Sequence, residues 1–225
     1  MTRAAPGSRH GAPHPGAVAC VYAVLFLAGL APVTVLGGMP HFPGPYESAA
    51  TIAAFFRERA SAALVCAFFQ FGAAIPLGIY TAAVVSRLRF HGISAAGTHI
   101  ALFGGFLTAT NLSASSLLLW VLVQPGIADS TPVLLALYYA MFALGGVGFS
   151  VPLGLLIAGI SVTAAFAKLL PRWLVIAGLV IAVIAELSTL TLILPAALPL
   201  IPLTRFPAFI WLALAGFHLP SVRRA

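Results

Sequence analysis

Six apolar stretches, each near the length that crosses a bilayer, follow one another along this chain. They cover residues 17–36, 61–85, 100–123, 133–167, 173–195 and 206–219. A helix rises about 1.5 Å per residue, so about twenty apolar residues span the roughly 30 Å hydrocarbon core. With 61% hydrophobic and 7% charged residues, the chain cannot cover a water-facing surface, for which about 25% charged residues is usual. The expected fold is all-α, an integral membrane bundle of six transmembrane helices. Residues 1–16, rich in Pro and Gly, read as a disordered cytoplasmic tail, 17–219 as the membrane domain, and 220–225 as a basic cytoplasmic C-terminus.

Net charge is +7 and the pI about 10.3, but the basic residues are scattered between the apolar runs and form no patch for nucleic acid. Topology explains them better. Arg3, Arg9, Arg87, Arg89, Lys168, Arg172, Arg223 and Arg224 fall on the side of the termini, and Arg57, Arg59 and Arg205 on the other. Eight against three places both termini in the cytoplasm of a bacterial inner membrane. The first run is too long for a signal-peptide core and lacks a good cleavage site, so it reads as a retained span.

Between the first two spans, residues 47–60 form an amphipathic segment. Ala49, Ile52, Ala53, Phe56 and Ala60 share one face at 100° per residue. It reads as a short outer interfacial helix or as a cap packed on the bundle, and the pattern serves both. The third span holds Thr108, Thr110, Asn111, Ser113, Ser115 and Ser116, residues that mark a helix–helix contact. The fourth run is too long for one straight crossing, and Pro152 is the expected bend. Gly146, Ser150, Gly154 and Ala158 repeat every fourth residue there, a small-residue ladder for close helix packing. The Pro-rich residues 195–207 read as an outer connection carrying Arg205.

Glu186 is the one acid inside an apolar stretch, about 20 Å from the Trp173 end of its span and about 12 Å from Pro195. A charged group at a helix centre costs about 2.5–3.5 kcal/mol, and one interhelical hydrogen bond returns about 0.6 kcal/mol. Convergent partners, water or a proton must therefore accompany it. Gln70, Asn111 and Ser115 reach a similar outer layer by helix counting, and form a candidate intramembrane polar site with it. Each of the three also has a plain reading, a hydrogen bond to its own backbone or to one neighbour. His91, His99 and His218 have no ligand spacing, so no metal or cofactor is expected. Cys20 and Cys66 lie at different depths, which argues against a disulfide, and both read as buried small hydrophobes.

The stretches SAATIAAFFRER at 48–59, GAAIPLGIYTAAVVSRLR at 72–89 and LPRW at 170–173 resemble a group of uncharacterised six-span membrane proteins of actinobacteria. That resemblance implies a six-span inner-membrane protein and no catalytic residues. Where the group carries a Glu-Gly pair after the second basic loop, this chain has Phe90-His91-Gly92. The expected function is that of a non-catalytic structural or accessory membrane protein. Its partners would be the bilayer and a membrane protein or a second copy. The alternative is a small proton- or solute-coupled transporter or channel subunit using Glu186.

Overall fold

The computed structural model describes residue 11 and residues 13–222. The expected tail up to residue 10, with Arg3 and Arg9, and Arg223 and Arg224 at the other end, lie outside the described residues. Eight α-helices follow in order: α1 (Pro15–Leu30), α2 (Ala49–Glu58), α3 (Ala60–Phe90), α4 (Ala96–Leu122), α5 (Thr131–Gly145), α6 (Val147–Phe166), α7 (Arg172–Leu187) and α8 (Leu200–His218). Six segments are long and apolar enough to cross a membrane, with α5 and α6 together forming the fourth. The all-α, six-span bundle read from the sequence is what the chain forms.

Each span packs on the next in the chain, and α8 closes on α1, so the six crossings form a ring. Both ends of the membrane domain lie at one end of the bundle, here called the terminal end, with the opposite end called distal. Gly16 of α1 meets Gly216 and Phe217 of α8 there, and an added Cβ at Gly16 would lie 2.6 Å from the Phe217 ring. Tyr22, Phe26, Leu77, Tyr80, Phe149, Leu153 and Leu212 fill the interior. Some polar tips inside it find backbone carbonyls, while the Tyr22 hydroxyl is buried without a partner. The Tyr80 hydroxyl donates to Leu212 O at 3.0 Å, and Trp211 Nε1 to Leu174 O at 2.7 Å. Buried Arg87 donates to Leu219 O at 3.1 Å, tying the end of α8 to α3.

The fourth span breaks at Gly146, six residues before the expected bend at Pro152, which sits buried inside α6. Gly146 has φ −87° and ψ −97°. A side chain there would press on Phe142 O and Ile201, at 2.7 and 3.2 Å from its Cβ. Two glycines in succession let the chain jog where a proline later in the helix is absorbed by side-chain bonding.

Within the ladder, Gly154 faces α7, its Cβ position 2.5 Å from Ala185 Cβ. Ser150 is buried and Ala158 half-buried. A second set of small residues makes the tighter contact. Gly104 of α4 lies against Pro152 and Leu156 of α6, and Gly159 of α6 against Gly97 and Ala101 of α4. Backbones that close gain dispersion and hydrogen-bond strength in a medium that gives helices no hydrophobic reason to associate.

Of the two readings for the amphipathic segment, the cap describes how α2 sits. Ser48 caps its start, accepting from Thr51 N at 3.1 Å. Ile52, Ala53, Phe55 and Phe56 are buried on the distal end of the bundle against Ala63, Leu119, Leu134 and Tyr138. Ala49 is exposed and Phe55 takes a place on the buried face. Arg59 donates to Pro32 O and Gly37 O, at 2.8 and 2.6 Å, clamping the turn that ends α1.

Candidate functional site

The polar residues of the fourth-span region are arranged around its two defects. Proline has no N–H, so Pro152 leaves the carbonyl of Gly148, four residues earlier, without its helical donor. Asn111 Nδ2 of α4 donates to that carbonyl at 2.5 Å. The break at Gly146 leaves Gly145 O beyond the end of α5, and Arg205 of α8 donates to it. Ser115 of α4 donates to Met141 O at 2.8 Å. Other hydroxyls of the third span follow the plain reading: Thr108, Ser113 and Ser116 bond Gly104 O, Ala109 O and Leu112 O of their own helix.

Arg205 is the residue that sequence reading misplaced. It lies inside α8, between Leu200 and His218, not in an outer loop. Pro199 forms the helix cap and Pro202 falls in the first turn, where a missing N–H costs nothing. The prolines that suggested a loop therefore start a helix. The guanidinium carbon sits 5.2 Å from the Phe26 ring centre and 4.8 Å from that of Phe149. Such cation–π contacts are worth about 2 kcal/mol or more each when desolvated. Among the described residues Arg205 forms one hydrogen bond, to Gly145 O, and its Nε is buried without a partner. Among the described residues no carboxylate lies within ion-pair distance of it, and Tyr22 and Cys66 are the titratable groups nearest in its field.

Beside Arg205 is a cavity of about 150 Å³ between α1, α3, α4, α5 and α8. Gln70, Ser115, Ser116, Cys66 and Gly145 line it together with Arg205. Phe42 lines its distal side, its ring edge-on against Phe55 at 5.1 Å and Phe56 at 6.3 Å. The Tyr138 hydroxyl donates to Pro43 O at 2.7 Å and holds the loop in that place. Among the described residues Gln70 makes no hydrogen bond, so its amide is free toward the cavity.

The four residues read as one polar layer thus separate. Gln70 and Ser115 share the cavity, Asn111 is engaged one turn away at Gly148, and Glu186 is elsewhere. Glu186 is exposed on the outside of α7, in a stripe with Ile176, Val180, Val183 and Leu187. It has no hydrogen bond among the described residues.

At the terminal end His91 meets Pro220 O at 2.9 Å, His99 meets Arg89, and His218 meets Leu214 O. Among the described residues no three His, Cys, Asp or Glu side chains converge. Cys66 is buried as expected, whereas Cys20, on the outer face of α1, is exposed rather than buried, and both are free.

Comparison with protein-family models, with curated proteins and with solved structures gave no match to this chain.

Proposed function

We propose that the chain is a non-catalytic accessory protein of a bacterial inner membrane that docks on a membrane-protein partner through the outer face of α7. The outward position of Glu186 carries this reading. About 21 Å along its helix from Arg172, the carboxyl stands among Val183, Leu187 and Leu190, where lipid offers it no partner. Its insertion cost of about 2.5–3.5 kcal/mol is offset when a neighbouring protein helix presents a donor at that depth. Among the described residues a second copy has no cation or amide on an outward span face at that depth, since Arg205 and Gln70 both line the interior cavity. The occupant is therefore a different chain, with a Lys, Arg or amide facing Glu186. A proton- or solute-coupling role needs the carboxyl on an internal route, and its outward position favours docking instead.

With Arg205 inside α8, the basic bias becomes eight residues on the terminal side against Arg57 and Arg59, which supports cytoplasmic termini. The resemblance to the actinobacterial six-span group supports the same placement.

Native electrophoresis of mildly solubilised membranes tests the proposal. Wild type should migrate within a larger complex, Glu186→Gln should retain it through the amide, and Glu186→Leu should migrate as the lone chain. Wild type at the mass of the lone chain, or a complex undiminished in Glu186→Leu, would overturn it.

A further inference from the structure

We infer that the cavity beside Arg205 is a binding site for one small monovalent anion, of halide, nitrate or formate size. The inference is independent of docking through α7. It begins from a charge imbalance. Arginine keeps its proton in proteins, so the guanidinium in α8 carries a full positive charge inside the bundle. Stacking on Phe26 and Phe149 stabilises that charge without neutralising it, and Gly145 O engages one of its five N–H donors. Its Nε is buried and unpartnered. Glu186, the one acid within a span, faces out of the bundle.

The cavity supplies what a bound anion would need. Arg205 gives charge and free donors, and Gln70 of α3 gives an amide with no other partner among the described residues. Gly145, where α5 ends, and Gly146, where α6 begins, are both in the cavity wall, so the two helix dipoles oppose each other there and the positive field comes from Arg205. The hydroxyls of Ser115 and Ser116 already donate to carbonyls, so they contribute shape more than hydrogen bonds. The rest of the wall is mostly apolar, with Leu30, Val33, Leu119 and Ile201, and a charge–charge attraction is stronger beside such surfaces than in bulk water. A volume of about 150 Å³ takes an ion of one to four heavy atoms and a few waters, each water needing about 30 Å³. It has no room for a diacyl lipid. A larger apolar groove lies on the outside of α3 and α4, lined by Phe68, Phe71, Leu117 and Trp120.

The test uses the full chain in detergent at fixed ionic strength, exchanged between sulfate and bromide, nitrate or formate. Thermal unfolding should shift upward with each monovalent anion along a saturable curve, as expected for a ligand that binds the folded state alone. Gln70→Leu should weaken the fitted affinity about tenfold, the worth of one hydrogen bond to a charged group. Arg205→Gln should abolish the response. Should Arg205→Gln fail to fold, chloride-35 NMR line broadening on wild type, displaced by bromide and reduced in Gln70→Leu, gives the same answer. A wild type whose unfolding ignores anion identity and which leaves the chloride line sharp would overturn the site. Saturation by a long-chain fatty acid and by none of the small ions would overturn it in favour of a lipid carboxylate.

Discussion

At the scale of single residues, the bundle is governed by backbone carbonyls that lost their donors. Asn111 is the clearest case, because its partner carbonyl is freed by a proline on another helix. Asn111→Leu should cost about 1–3 kcal/mol by leaving Gly148 O buried and unbonded. Adding Pro152→Ala should recover most of that loss, since an N–H returns at position 152 to bond the same carbonyl. Denaturation in mixed micelles reads both variants, and a double variant no better than Asn111→Leu would show that the amide does something else. The sequence made Asn111 conspicuous but not its partner: a carbonyl has no residue-type signature, and the register between α4 and α6 is set by glycine contacts. Arg205 was hidden differently. Four prolines around it imitate a loop, but Pro199 and Pro202 sit at the start of α8, Pro207 is accommodated inside it, and Pro195 opens the turn before it.

At the scale of elements, close approach is concentrated where glycines oppose backbone. An added Cβ at Gly104 would lie 2.6 Å from both Leu156 N and Pro152 O, whereas one at Gly72 meets nothing within 4 Å. Gly104→Leu should therefore prevent a stable α4–α6 contact, and Gly154→Leu should do the same for α6–α7. Gly72→Ala should stabilise by about 0.5–1 kcal/mol through helix propensity. Thermal unfolding in detergent separates them, and a Gly104→Leu protein as stable as wild type would refute the packing. The four-residue repeat at Gly146, Ser150, Gly154 and Ala158 made α6 legible as a packing helix. The opposing set on α4, Gly97, Ala101 and Gly104, is irregularly spaced and was not. Nor was the direction of Glu186 legible: α7 is apolar all round, so no polar face tells which side of it turns inward.

At the scale of the whole molecule, hydropathy and length sufficed for six crossings, because lipid permits few ways to satisfy a backbone. Reporter fusions at Gly92 and Pro171 should give cytoplasmic signals, and those at Gly44 and Gly126 signals from the other side. An external signal at Pro171 would refute the orientation. The ring itself bears on how the protein comes into being. Nearly every helix contact joins neighbours in sequence, so each crossing can settle on the one made just before it, with little loop-closure entropy to overcome. The main exceptions involve α8, which closes on α1 and also meets α3, α5 and α6. When α8 leaves the ribosome, the rings of Phe26 and Phe149 already stand in an open arc. Arg205 is thus synthesised after Phe26 and Phe149, the rings that receive its charge.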